Sequence, residues 1–278
     1  EFAISAYTKS VMLPGKKDQR KRAVKVYGNG IKEVGDDVSR QFLVKQLELI
    51  GDDEALPYLA PYINNNRLSG PATRAVAQVG TAAAGKLLLQ QYAGASAANR
   101  GNIIEALGYL RYTPAVATIQ SAYKSEAGLK KNASYSLSPI GESSSAEILH
   151  GAAKQAQFTY DTNNATSYYT KYLTQLAANK QDALAAKLAE QMITEATAAK
   201  QTHARIVALT LLADFNNSKV LPLLYKAVKD PDMEYRAAAL KLAGRFRDAA
   251  SDKQWITLLR TASAPVKVQL INYLADAK

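Results

Sequence analysis

The side chains that could do chemistry are few and scattered in this 278-residue sequence. His150 and His203 are its only histidines, and neither has a second ligand three or four positions further on. A metal centre needs three or four converging donors, so His150 reads as a helix-packing residue and His203 as a surface residue at a helix start. The absence of cysteine removes disulfides, thiolate zinc sites and a Cys nucleophile. Ser143, Ser144 and Ser145 stand beside Glu142 and Glu147, a pattern that caps a helix rather than supplies a nucleophile. Gly28-Asn29-Gly30 has neither a preceding strand nor GxGxxG spacing, so it reads as a turn that ends a basic helix over residues 17–27. No catalytic constellation emerges. The expectation is a non-enzymatic protein with no metal and no cofactor.

Binding chemistry is better represented. Sixteen tyrosines stand against one Trp and five Phe, and a tyrosine offers flat apolar area with a polar tip, suited to helix packing and to sugar or protein contact. Tyr160, Tyr168, Tyr169 and Tyr172 gather around Asp161, Asn163 and Asn164 in and just after the stretch FTYDTNNATSYY, residues 158–169. Two readings stand: a solvated loop whose tyrosines cover the ends of two long helices, or a ligand contact at one edge of the molecule. The net charge is +11, and residues 1–34 hold eight Lys or Arg against Glu1, Asp18 and Glu33, which is +5 of it. The cluster Lys16–Lys25 reads either as a solvated face or as a polyanion contact. No apolar run approaches the roughly 18 residues of a membrane span, and Val11–Leu13 is too short for a signal-peptide core. With no initiating Met and helical patterns at both ends, the chain reads as a processed protein or an excised fragment.

These residues must be held by helices. Apolar residues make up 47% of the chain and charged ones 21%, and no stretch alternates with period two. The most complete pattern is DPDMEYRAAALKLAGRF, residues 230–246. Asp230, Pro231 and Asp232 suit a first turn, and Ala239, Leu242, Ala243 and Phe246 share one helical face. An apolar residue closes a similar helix at Ile50, Val79, Leu110, Ile140, Phe215 and Phe246, at intervals of 29, 31, 30, 75 and 31, and a further 31 reaches Ala277. Counting back three, four and seven positions gives a stripe that is mostly apolar or small, as in Leu47, Gln46 and Leu43, or Leu107, Ala106 and Ile103. A shorter helix fits between successive anchors. The expected fold is all-α, an α-solenoid of stacked antiparallel helix pairs, since one pair cannot bury its apolar face alone. Residues 1–35 form N-terminal helices or a truncated repeat, 36–142 and 203–278 form repeats, and 143–202 form one enlarged repeat.

At this point the pattern resembles the HEAT-repeat family in its short variety of about 30 residues. The segment 230–246 looks like that family's second helix, with Asp230 and Arg236 matching its Asp and Arg positions, which the resemblance implies bond neighbouring repeats. Ten residues before each anchor stand Arg40, Ser69, Arg100, Lys130, Arg205, Arg236 and Lys267. Turned inward, this basic column ties repeats together; turned outward, it suits phosphates. Positions one, five and eight before the anchors face away from the core, and the resemblance puts them on the concave side: Arg74, Gln78, Asn102, Glu105, Tyr109, Asn132, Tyr135, Lys241 and Arg245. Mixed charge with aromatic points implies a protein or glycan partner bound by a scaffold. The alternative is a DNA-binding or DNA-repair module of the HEAT-like glycosylase type; the resemblance implies Trp and acidic residues around an extruded base, whereas the sole Trp, Trp255, lies in a first helix expected to face the opposite side. The composition is also similar to HEAT segments of large secreted or periplasmic bacterial proteins, which implies an extracytoplasmic setting.

Overall fold

Alanine, leucine, lysine and glutamine favour helix along most of the chain, and the computed structural model, which describes residues 1–276, contains helices and turns with no strand among the described residues. The chain divides into two compact units, Glu1–Ile140 and a second that begins at Gly141. The first holds α1 (Phe2–Val11), α2 (Lys17–Glu33), α3 (Asp37–Ile50), α4 (Leu56–Leu59), α5 (Ser69–Val79), α6 (Ala82–Tyr92), α7 (Ala97–Tyr109), α8 (Val116–Ser125) and α9 (Lys130–Ile140). In it α3, α5, α7 and α9 pack each against the next, and the shorter α4, α6 and α8 pack on α5, α7 and α9. The second unit holds α10 (Ala146–Gln155), α11 (Ala165–Ala178), α12 (Asp182–Ala198), α13 (Thr202–Asn216), α14 (Leu221–Ala227), α15 (Met233–Ala243), α16 (Ala249–Thr261) and α17 (Ala264–Ala275). There α10 to α13 pack in sequence, then α13 on α15 and α15 on α17.

The expected stripe is the core. Of the eighteen positions three, four and seven before the six anchors, all but Leu211 are buried. The anchors themselves are another matter. Ile50 and Ile140 are buried, but Val79, Leu110, Phe215 and Phe246 are half-buried. Phe246 lies in a 3-10 turn with the Arg245 guanidinium 5.4 Å from its ring centre. Ala277 lies outside the described residues.

Helix starts are set by capping side chains that take up orphan backbone N–H groups. Asp36 accepts from Ser39 N at 2.9 Å, Asp232 accepts from Glu234 N and Tyr235 N at 2.9 and 3.1 Å, and Asp248 forms a capping box with Ser251. Pro231 therefore precedes the cap instead of opening the helix. The shorter helix expected between the anchors Ile50 and Val79 is broken into 3-10 turns around the four residues of α4, since Pro57 and Pro61 cannot donate backbone bonds. Gly28-Asn29-Gly30 does not end a helix: α2 runs through it to Glu33. The glycine serves a close approach. A Cβ on Gly28 would stand 2.2 Å from Tyr58 Cγ, so the Tyr58 ring occupies the place of its side chain. Gly85 receives Tyr112 in the same way, with a notional Cβ 2.4 Å from Cδ2.

Candidate functional site

In the first unit the outward positions of α5, α7 and α9 come together. Gly108 sets their spacing: a Cβ there would lie 2.5 Å from Ser136 Cα, so α7 and α9 touch backbone to backbone, and Ser136 Oγ donates to Ile104 O at 2.9 Å. On the exposed side, side chains reach across from helix to helix. Tyr109 Oη donates to Gln78 Oε1 at 3.0 Å, Asn132 Nδ2 to Glu105 Oε1 at 2.7 Å, and Asn102 Nδ2 to Ser69 Oγ at 3.2 Å. The result is a shallow depression of about 230 Å³ lined by Arg74, Gln78, Asn102, Glu105, Tyr109 and Tyr135, with Glu48, Thr73 and Ala77. Tyr109 is 61% exposed and Tyr135 40%. A second depression of about 340 Å³ shares Glu48 and Arg74 and extends along α3 past Phe42, Lys45 and Val38.

Seven expected residues thus stand at one place, six lining the depression and Asn132 bonded to its wall. Glu48 was missed. Its Oε1 accepts from Lys45 Nζ at 3.0 Å, while Oε2 is buried with no hydrogen-bond partner. A signal existed: two positions before the anchor, the next three copies carry Ala77, Gly108 and Ser138, so a carboxylate there departs from a small-residue rule. Lys241 and Arg245 lie on and just after α15 in the second unit, both exposed, with Arg245 paired to Asp214 at 2.8 Å. They do not line this depression.

The tyrosine-rich stretch corrects the contact reading for most of its members. Tyr160 is 87% exposed, but Tyr168 is buried and Tyr169 and Tyr172 are fully so. The helix α11 starts at Ala165 and turns them inward, where their hydroxyls find backbone carbonyls: Tyr169 donates to Leu188 O at 3.2 Å and Tyr172 to Glu142 O at 2.8 Å. Burial pushes both hydroxyls well above the ordinary tyrosine range. Asp161 accepts from Ala165 N at 2.7 Å and Asn163 N at 3.3 Å, which ties the loop into the start of α11.

The remaining candidates are structural. His150 Nε2 lies 2.7 Å from Glu195 Oε2, with Lys154 Nζ 2.9 Å from Oε1 and the Tyr169 ring 5.5 Å away. Burial alone would raise the Glu195 carboxyl, but bonds from Lys154, His150 and Gln191 outweigh it and hold the group below its ordinary value. His203 is exposed at the start of α13. Among the described residues no group of three or more His, Cys, Asp and Glu is placed to hold a metal ion. In the basic column Arg205 and Arg236 turn inward and are 6% exposed. Arg205 pairs with Asp230 and lies 3.8 Å from the centre of the Tyr235 ring; Arg236 donates to Gln269 Oε1 at 2.6 Å and to the carbonyls of Asp230 and Pro231 at 2.8 and 2.9 Å. Arg100 pairs with Glu126 at 3.0 Å, Arg40 with Asp37 at 3.1 Å, Lys130 stands over the Tyr123 ring, and Lys267 is exposed. Trp255 is fully buried between Tyr225 and Tyr273, with ring centroids 4.4 and 5.4 Å away, so it faces no ligand. No helix among the described residues is long and apolar enough to cross a membrane. No protein-family model matches the chain, and no curated protein matches it.

Proposed function

We propose that this chain is a non-enzymatic helical scaffold of the short HEAT-like kind, an α-solenoid that holds a protein or glycan partner against the depression on α3, α5, α7 and α9. The observation that carries the reading is convergence: one register of three alternate helices, α5, α7 and α9, presents Arg74, Gln78, Asn102, Glu105, Tyr109 and Tyr135 to a single shallow site. The sequential packing of α3, α5, α7 and α9 supports the solenoid part of the proposal. The site offers exposed aromatic faces, amides that keep spare donors and acceptors beside the bonds they make, and charges of both signs. That mixture matches a polar chain with apolar stretches, such as a peptide or an oligosaccharide.

It does not match a phosphate track. Glu48 and Glu105 outnumber Arg74 as charged groups lining the depression, and phosphate binding rewards uniform positive charge. The test is a binding titration with a panel of oligosaccharides and unstructured peptides, with duplex DNA alongside at physiological salt. We expect a ligand from the first two classes, and Tyr109→Ala to weaken it by about 2 kcal/mol, as an aromatic at the centre of a contact does. Tight DNA binding abolished by Arg74→Glu would replace this reading with the DNA-binding one.

A further inference from the structure

We propose that the turn joining α1 to α2 is a contact surface for an anionic lipid bilayer. The turn holds Met12 and Leu13, 49% and 60% exposed. They are not needed inside: Thr8 and Val11 already fill the inner side of α1, and the Thr8 and Tyr27 hydroxyls bond at 3.1 Å to tie α1 to α2. Lys9 stands in the last turn of α1, Lys16 and Lys17 at the start of α2, and Arg20 one turn further on. All four are exposed, and none has a carboxylate partner among the described residues, whereas the neighbouring Lys21 is taken up by Glu54 at 2.6 Å. Asp18 is the only acid between Lys9 and Arg20.

Helix stability does not explain this arrangement, because cations at a helix start oppose the local dipole, which favours acids there. Nucleic acid would use the cations but gain nothing from two outward apolar side chains. A bilayer takes both, with apolar side chains at the acyl boundary and ammonium groups among the headgroups. Two exposed apolar side chains with four exposed cations on either side of them in sequence suit a flat, deformable anionic surface.

Vesicle sedimentation of the whole chain tests the proposal, with phosphatidylcholine alone against phosphatidylcholine mixed with phosphatidylserine. The chain is expected to sediment with the mixed vesicles only. Each neutralised cation should weaken partitioning about fivefold, so Lys16→Gln with Lys17→Gln lowers it about thirtyfold. Met12→Ser with Leu13→Ser, which removes no charge, should also release the chain from the mixed vesicles. Lys226→Gln with Lys229→Gln, an equal loss of charge far along the chain, should leave partitioning within twofold. Circular dichroism confirms that each variant is folded. No sedimentation overturns the proposal. Equal loss in the Lys226 and Lys229 variant overturns it in favour of net charge alone, and indifference to the Met12 and Leu13 changes overturns it in favour of a soluble polyanion.

Discussion

Arg205 illustrates how a cation that looks available to a phosphate can be spent internally. Its side chain is 7% exposed, paired with Asp230 and stacked on Tyr235, whose hydroxyl burial pushes up to about 12. Removing one member of a buried pair costs more than the pair contributes, because the other charge is left without a partner. Arg205→Ala is therefore expected to cost about 3 kcal/mol in urea unfolding, and a loss below about 1 kcal/mol would contradict the inward assignment. Gly108 is held by shape instead of charge. Gly108→Ala must displace the Ser136 backbone and should cost about 1 to 3 kcal/mol, measured the same way. Neither contact is visible locally: the partner of Arg205 stands 25 residues away and that of Gly108 stands 28 away.

At the scale of elements, the buried stripe was legible because a 3.6-residue period survives in every copy, while the anchors that defined the register were poor guides to burial. Leu212, fully buried, and Phe246, half-buried, separate the two ideas. Leu212→Ala should cost about 2 to 5 kcal/mol and Phe246→Ala less than that, despite the larger side chain removed. The outward register was legible for the same reason as the stripe, and it delivered most of the candidate site. For the tyrosines of α11 the sequence left packing and ligand contact both open, since no local pattern reveals the carbonyls of Leu188 and Glu142 that accept from Tyr169 and Tyr172. The capping acids give the elements a pH response. Backbone donation by Ser39 and Ser251 lowers the Asp36 and Asp248 carboxyls, and the Thr202 hydroxyl is the main cause for Asp232. A carboxyl lowered in the folded state contributes stability above its unfolded value, near 3.9, and that contribution is lost as pH falls through the folded value. Thermal midpoints should drop as pH falls below about 4, and Asp232→Asn should make that drop shallower.

For the molecule as a whole, the break between Ile140 and Gly141 predicts that a chain ending at Ile140 melts cooperatively and keeps its helical dichroism, because the first unit is compact by itself. Non-cooperative melting of that fragment would show that its core is incomplete. Gly141, at the break, has a left-handed backbone with φ of +70°, which favours glycine. The seats in which Tyr58 fills the space over Gly28 and Tyr112 the space over Gly85 carry a further consequence, for inheritance. A methyl group gained at either glycine is intolerable while its tyrosine remains, and a tyrosine lost alone leaves a hole. Each pair can therefore change only in concert, so among descendants of this sequence positions 28 and 58, and 85 and 112, should vary as couples while their neighbours drift singly.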